Sequence, residues 1–395
     1  MRTAKPKLIQ MLPLAMIVCG WLLALIPCAI AQTWTPTGAP VRFLGQTVMA
    51  SADGSKIVAI EGGNGGIYNS TNSGATWTSN GAPSLNLYAA AASADGTKLV
   101  AGSANGGVYI STNSGANWAK TGLPIASWSS FATSADGNKF VAAGWLGPVY
   151  ISTNCGVTWT GTSTPNDYWG AVASSASGNK LVAAGNSGIY TSTNYGVTWI
   201  SNNVPHLALD CLASSADGNR VVAAAGAGSN PGGIYISTNS GITWTQTSAP
   251  SNYWASVASS ANGAKLMAGA GLSFTSGAIY TSDDYGVTWM LNNAPTNCYW
   301  RSVAASADGN ELVAVSSDVY TLRSTPAPLL GIVPADSNFT LSWIIPSTNF
   351  VLQQSSDLGS WTDMTNQPVL NLANLQNEVT LSPSNSSGFY RLKTP

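Results

Sequence analysis

The sequence predicts an all-β chain: a seven-bladed β-propeller closed by strands from both of its ends, followed by a small β-sandwich. Three observations carry that prediction. An eight-residue phrase occurs six times, as STNSGATW ending at Trp77, STNSGANW at Trp118, STNCGVTW at Trp159, STNYGVTW at Trp199, STNSGITW at Trp244 and SDDYGVTW at Trp289. A second phrase occurs seven times at spacings of 40–46 residues: SADG around Asp53, Asp95, Asp136, Asp217 and Asp308, with Ser177 and Asn262 at the acidic position of the other two copies. A period in that range is that of a propeller blade or solenoid turn. Charged residues make up only 8% of the chain, against about a quarter in an ordinary globular protein. Gly, Ser, Thr, Asn and Ala take their place, which suits short strands and tight turns.

The first 31 residues stand apart. Arg2, Lys5 and Lys7 precede an apolar run from Met11 to about Ile30, and Ala29-Ile30-Ala31 puts small residues where a signal peptidase reads. Residues 1–31 are therefore expected to be a signal peptide cleaved before Gln32, with an uncleaved anchor as the alternative. The mature chain is expected to be secreted, periplasmic or at the cell surface, without a membrane span, and a monomer. Its charge balance is then 12 Lys+Arg against 16 Asp+Glu. No basic block remains, which removes the electrostatic basis for a nucleic-acid partner. Cys155, Cys211 and Cys298 follow no metal or redox spacing and are expected to be small buried side chains. With His206 the single histidine, no metal and no cofactor are expected.

One repeat, residues 86–120, shows how a unit is built. Leu87 to Ser93 is a strand of mostly small residues, fit for a crowded axis. Ala94-Asp95-Gly96-Thr97 is a hairpin turn. Lys98 to Ser103 forms the second strand, a turn at Ala104-Asn105-Gly106 follows, and Val108 to Ser111 forms the third. The eight-residue phrase makes the next turn and Asn117 to Thr121 starts the fourth strand. Four strands per repeat is a propeller blade. Six phrases and seven SADG turns leave one unit incomplete. Gln32-Thr33-Trp34-Thr35 through Ala39-Pro40 matches the segment that follows each phrase, so Trp34 is expected to supply the outer strand of the last blade beside Val319 to Leu322. The propeller then spans residues 32–325.

The eight-residue phrase resembles the Asp-box, or BNR repeat, of pattern Ser-x-Asp-x-Gly-x-Thr-Trp. In that family it forms the turn between a blade's third and fourth strands. Asn stands at the acidic position in Asn72, Asn113, Asn154, Asn194 and Asn239, and only Asp284 keeps the acid. The resemblance extends to sialidases, whose activity needs three arginines around a carboxylate, a Tyr/Glu pair and an acidic catalyst. This propeller holds only Arg42, Arg220, Arg301 and Arg323, and Arg220 occupies a repeated Lys position. The seven-bladed form is also similar to photosystem II assembly-factor propellers, which carry a basic patch that this chain lacks.

A residue that recurs in every blade serves the blade, so a site should break the repeat. The irregular residues fall on the face opposite the two repeated turns. Near the starts of the inner strands stand Tyr88, Trp128, Tyr168-Trp169, Tyr253-Trp254 and Tyr299-Trp300, with Asp167, His206, Asp210 and Arg301 as polar neighbours. The loops between second and third strands add Glu61, Trp145 and Phe274, and two of them, Gly226 to Gly233 and Gly271 to Gly277, are long. Aromatics gathered at one mouth suggest stacking platforms for sugars or peptide side chains; the competing reading is that they pack between blades. The candidate ligand-binding residues are Tyr88, Trp128, Trp145, Trp169, His206, Asp210, Trp254, Trp300 and Arg301. A non-enzymatic binder of an extracellular glycan or protein is the leading expectation. A glycoside hydrolase or lyase using Asp167, Asp210 or Glu61 is the rival, since such chemistry needs two carboxylates facing across a sugar. A purely structural surface component is the third.

Residues 326–332 read as a linker, with Pro326 and Pro328 in it. Asn338 to Ile344, Phe350 to Gln354, Trp361 to Thr365, Glu378 to Ser382 and Phe389 to Lys393 alternate as strands. Residues 333–395 therefore resemble a small immunoglobulin- or fibronectin-type sandwich, with Trp343, Phe350, Trp361 and Tyr390 as its expected core.

Overall fold

The computed structural model describes residues 33–41, 45–63, 65–80, 87–103, 106–124, 126–202, 209–226, 230–271, 277–324, 330–335, 338–344, 350–356, 360–382 and 389–393. Residues 33–395 form one compact unit. The expected signal peptide lies outside the described residues.

The fold is an all-β propeller. Among the described residues, seven antiparallel four-stranded sheets follow one another. Sheet 1 is Gly45–Ala50, Ile57–Glu61, Ile67–Ser70 and Thr78–Asn80. Sheets 2 to 6 repeat this order, with inner strands Leu87–Ala92, Trp128–Thr133, Asp167–Ser174, Leu209–Ser214 and Trp254–Ser259. Sheet 7 takes Ser302–Ala305, Glu311–Val315 and Val319–Arg323 from the end of the ring, and Thr35–Pro36 from its start. Sheets 3 and 4 are joined at one edge: the long second strand of sheet 3, Phe140–Gly147, also pairs with the start of the sheet 4 inner strand through Trp145↔Tyr168 and Gly147↔Asp167.

Two turn families hold the sheets in register. In the SADG turn, Asp95 Oδ1 accepts from Ser93 Oγ at 2.6 Å and from the Thr97 amide at 3.0 Å, while Ser93 Oγ accepts from the Lys98 amide. Burial raises the Asp95 pKa, but these hydrogen bonds and the Lys56 charge outweigh it and hold the carboxyl below its usual range. The phrase turn is built the same way. Ser70 Oγ accepts from the Gly74 amide at 2.8 Å, and Asn72 Oδ1 accepts from the Thr76 amide at 2.9 Å. Both residues before the turn's close are left-handed: Ser73 at φ 53° and Gly74 at φ 88°. Only the second is glycine, and a Cβ there would meet Thr37 Cγ2 at 2.8 Å. Asn72, Asn154, Asn194 and Asn239 keep the turn's side-chain link without the acid: each Nδ2 donates to a Thr Oγ1, as Asn72 does to Thr76, where Asp284 Oδ2 instead accepts from Thr288 Oγ1.

The sheets meet at the axis. The amide of Ala52 donates to the carbonyl of Ala94, and Ala94 to Ala135, Ala135 to Ala176, Ala176 to Ala216, Ala216 to Ala261, Ala261 to Ala307 and Ala307 back to Ala52, at 2.7–2.9 Å. The side chain after each SADG turn then lies over the turn glycine of the next sheet. Lys56 covers Gly96, Lys98 covers Gly137 and Lys265 covers Gly309. Their ammonium groups reach the neighbouring turn, as Lys56 Nζ does to the Asp95 carbonyl at 2.8 Å. The spoke from sheet 7 to sheet 1 breaks the pattern: Glu311 covers Gly54. It is buried and ion-paired with Arg323. Burial, offset in part by Arg323, pushes its carboxyl up to about 7, with the Asp308 and Asp53 charges adding to the rise.

Between sheets 6 and 7, Trp34 is buried against Trp300, with Nε1 donating to Asn292 Oδ1 at 2.8 Å. Thr35 and Pro36 pair with Thr321 and Tyr320, and the Thr37 amide donates to the Val319 carbonyl at 2.9 Å.

The tail packs two sheets face to face. One has Gly331–Ala335, Asn338–Ile344, Gln376–Leu381 and Val369–Asn371; the other has Thr362–Asp363, Val351–Ser355 and Phe389–Lys393. Leu341, Trp343, Leu352 and Val379 fill its core, with Tyr390 partly buried beside them. Phe350 and Trp361 lie at its margin, and the Arg391 guanidinium stacks on Trp361 at 4.2 Å. The first strand begins at Gly331, inside the expected linker. The sandwich is also more than tethered: Ile344 and Leu375 pack against the alanines at the propeller axis.

Two outcomes follow from the seam. Deleting residues 33–40 removes a buried indole, worth up to ~5 kcal/mol from about 200 Å² at about 25 cal/mol/Å², and uncovers a sheet edge. The melting temperature should fall by on the order of 10 °C, and melting at the full-chain temperature would show that the clasp contributes nothing. Glu311 has a folded pKa raised above its ordinary 4.5 to about 7, so the folded chain holds the extra proton between those values and stability falls as pH rises through that window. Thermal melts from pH 5 to pH 8 should show that decline, and Glu311→Gln should flatten it.

Candidate binding funnel

The inner strands of sheets 1 to 6 each carry a bulge near the face opposite the repeated turns. Register shifts fall between Gly45 and Thr47, Leu87 and Ala89, Trp128 and Ser130, Trp169 and Ala171, Leu209 and Cys211, and Trp254 and Ser256. In sheet 7 the Arg301 amide donates to the Val315 carbonyl at 3.1 Å just before the ladder starts at Ser302. An extra residue in one strand re-aims its side chain. The bulge residues Tyr88, Ser129, Gly170, Asp210 and Ala255, and Arg301 at the equivalent position of sheet 7, all line one axial funnel of about 410 Å³.

The residue before each bulge turns the other way. Trp169, Trp254 and Trp300 are 0% exposed and Trp128 only 2%. Each stands edge-on to a third-strand tyrosine: Tyr190, Tyr280, Tyr320 and Tyr150 at 5.3–5.8 Å between ring centres. Trp169 Nε1 and Trp254 Nε1 donate to Gly147 and Gly232 carbonyls in the preceding sheet at 3.0 and 2.9 Å. These four indoles, expected as ligand platforms, are wedges between sheets with no ring face to offer. Leu87 and Leu209 fill the same place in sheets 2 and 5.

The funnel wall combines opposite charges and an aromatic. Tyr88 is 50% exposed at the rim. Asp210 Oδ2 accepts from the Gly226 amide at 3.1 Å, which orients the carboxylate. The Arg301 guanidinium lies 4.7 Å from the centre of the Tyr299 ring, which also lines the funnel. Asp210 and Arg301 stand two sheets apart with the small Ala255 between them. Ser129 holds the wall through its hydroxyl, which donates to the Trp169 carbonyl at 2.5 Å. Ser130, Ser256 and Ser302 accept amide bonds from Val172, Val303 and Val48 of the next inner strands at 3.1–3.2 Å. Burial, and then the Asp210 charge, push the Cys211 thiol up to about 12, so it stays protonated beside the funnel.

The other candidate residues fall elsewhere. Asp167 is buried and spent on its loop: Oδ1 accepts from the Tyr168 amide at 2.8 Å and Oδ2 from the Ser187 amide at 2.7 Å. Glu61 ends the second strand of sheet 1, where Tyr68 Oη donates to it at 3.3 Å. Neither lines the funnel, so the three carboxylates do not converge. Trp145 is 56% exposed and packs edge-on against Tyr168 at 5.8 Å, outside the funnel wall. His206, Phe274 and Arg42 lie outside the described residues. Cys298 is buried as expected, whereas Cys211 is only partly buried and Cys155 is half-exposed on a phrase turn, with Sγ 3.0 Å from Asn138 Oδ1.

The ring of bulges was missed in reading residues one at a time, though the sequence contains a signal for it. The position seven residues before the acidic position of each SADG turn reads Gln46, Tyr88, Ser129, Gly170, Asp210, Ala255 and Arg301, with no type used twice.

No protein-family model matches the chain, and no curated protein matches it. Among solved structures the fold is similar to the GH74 xyloglucanase from Xanthomonas campestris, with a TM-score of 0.59 and 16% identity over 79% of this chain and 59% of that one. The chain thus spans about three-fifths of that enzyme's length. It is also similar to the GH74 enzyme of Niastella koreensis, with a TM-score of 0.57 and 13% identity over 92% of this chain and 74% of that one. A third likeness is to YCF48 bound to a D1 peptide, with a TM-score of 0.57 and 15% identity over 75% of this chain and 97% of that one. At these identities the likeness is one of fold.

Proposed function

We propose that this chain is a secreted, seven-bladed Asp-box propeller with an immunoglobulin-like tail, and that it binds an extracellular glycan in its axial funnel without catalysing a reaction. The observation that carries this reading is the bulge ring. Equivalent positions that serve the scaffold repeat from sheet to sheet, whereas these positions differ in residue type in every sheet, and Tyr88, Ser129, Gly170, Asp210, Ala255 and Arg301 line one cavity. Its size of about 410 Å³ falls within the usual range for small-ligand sites, roughly 300–1,000 Å³. Tyr88 offers a ring face for stacking on a sugar. Asp210 and Arg301 offer an acceptor and a fork of donors for its hydroxyls.

Two other readings draw on the structural relatives. Glycoside hydrolysis fits the likeness to GH74 enzymes, but the funnel gathers only Asp210 of the three candidate carboxylates, and the chemistry needs a facing pair. Peptide binding fits the likeness to YCF48, whose structure is described as bound to a D1 peptide.

A glycan array probed with the mature chain tests the proposal. Binding should weaken about tenfold or more in Tyr88→Ala and in Arg301→Ala, the loss of one stacking or charge-assisted contact of ~1–2 kcal/mol, with the melting temperature unchanged. Trp254→Ala should do the opposite and destabilise the chain by about 3–5 kcal/mol through the cavity it leaves. An array without hits, or hits that both funnel variants retain, would remove the glycan reading. Reducing-end release from mixed polysaccharides, lost in Asp210→Asn, would replace it with the hydrolase.

A further inference from the structure

We infer that the C-terminal sandwich is a stopper for the propeller axis, and that Leu375 is the residue that seats it. The two bodies meet where the seven alanines converge, on the face that carries the repeated turns. Ala52, Ala135, Ala176, Ala216, Ala261 and Ala307 are buried there in one cluster, with Ala94, Ile344 and Leu375 packed against it. Leu375 also lines a second axial cavity, of about 180 Å³, whose other walls are the alanines and the lower ends of the inner strands.

The turn that presents Leu375 is built to project it. Leu375 has φ 56°, a left-handed conformation that a branched side chain rarely adopts. Its amide donates to the Asn371 carbonyl at 2.8 Å. Glu378 Oε1 accepts from both Asn371 Nδ2 and Asn374 Nδ2 at 2.9 Å, clamping the turn from its own strand. Asn371 and Asn374 also accept from the Ala373 and Gln376 amides. None of these bonds requires a leucine; glycine would suit the backbone better. What leucine adds is an apolar side chain on a seven-membered ring of methyl groups. Each alanine presents one methyl and no polar side-chain atom, so the ring is an apolar socket at a place where any longer residue, repeated seven times, would collide with itself. The stopper therefore caps the alanine ring from the turn-bearing face, while the bulge-lined funnel belongs to the opposite one.

Leu375→Gly separates the stopper from the fold of the tail, because it keeps the left-handed turn and deletes only the side chain. Leu375→Met, which keeps an apolar side chain of similar volume, is the control. Hydrogen exchange at the seven ring amides of the full chain is the readout, with small-angle X-ray scattering for the overall size. In Leu375→Gly the ring amides should exchange at least tenfold faster and the radius of gyration should rise, with protected Leu341 and Val379 amides showing a folded sandwich; Leu375→Met should match the wild type. If the glycine variant instead unfolds the sandwich, the ring amides should still exchange faster, since the socket is emptied either way. Ring exchange that stays at the wild-type rate in Leu375→Gly, whatever the state of the sandwich, overturns the proposal.

Discussion

The closed circle of alanine hydrogen bonds is the constraint on which the rest of the structure depends. Each amide donates to the carbonyl of the next sheet, and the last, from Ala307, returns to Ala52. The circle fixes how far each inner strand stands from the axis and how it is turned. It also dictates residue type, because seven side chains meet in one place and only a methyl fits. The flanking serine and acid or amide of each SADG turn then act to hold that alanine's backbone in position. Replacing Asp by Ser177 or Asn262 leaves the geometry intact, since Asn179 Oδ1 and Asn262 Oδ1 take over as acceptors. The constraint is on turn shape, not on charge.

Outward from that circle, neighbouring sheets are locked by residues that reach one sheet ahead. Lysines span to the next SADG turn, and Lys139 and Arg220 also cover Tyr195 and Tyr285 on the phrase turns beyond. Tryptophans fill the gaps at both faces: phrase indoles such as Trp159, stacked on Phe140, on one side, and the Trp169 series on the other. The seam between sheets 7 and 1 is where the pattern changes. A buried Glu311 replaces the lysine there, while the two-residue strand Thr35–Pro36 closes the outer edge of sheet 7 and Trp34 packs between sheets 6 and 7. The ring's beginning and end are thus joined by an outer strand drawn from the far end of the chain and by an ion-paired carboxylate in the place of a lysine.

This scaffold leaves one set of positions, Tyr88, Asp210 and Arg301 among them, outside the packing between sheets. At each bulge, the preceding residue is driven between sheets and the bulge residue itself is turned into the funnel. The chain can therefore vary Tyr88, Asp210 or Arg301 without disturbing the circle below or the indoles behind. Opposite charges on either side of Ala255 and a tyrosine rim make the funnel dipolar and not strongly charged, in keeping with a chain poor in ionisable groups.

The sequence by itself determined the repeat, and through it the propeller, the two turn families and the return of Trp34 to the far end of the ring, because a unit that cannot bury its own faces must repeat its packing residues at a fixed period. It did not reveal which partner of a Tyr-Trp pair meets solvent. Successive strand residues point to opposite sides, so Tyr168 is exposed while Trp169 is buried, and a bulge shifts that phase by one. Only the tertiary structure placed the bulges, separated Asp167 from Asp210, and brought Leu375 to the alanine ring. Each of these depends on contacts between residues far apart in the chain. No local pattern encodes them: the Asp167 carboxylate is claimed by the Ser187 amide, and Leu375 by alanines from all seven repeats.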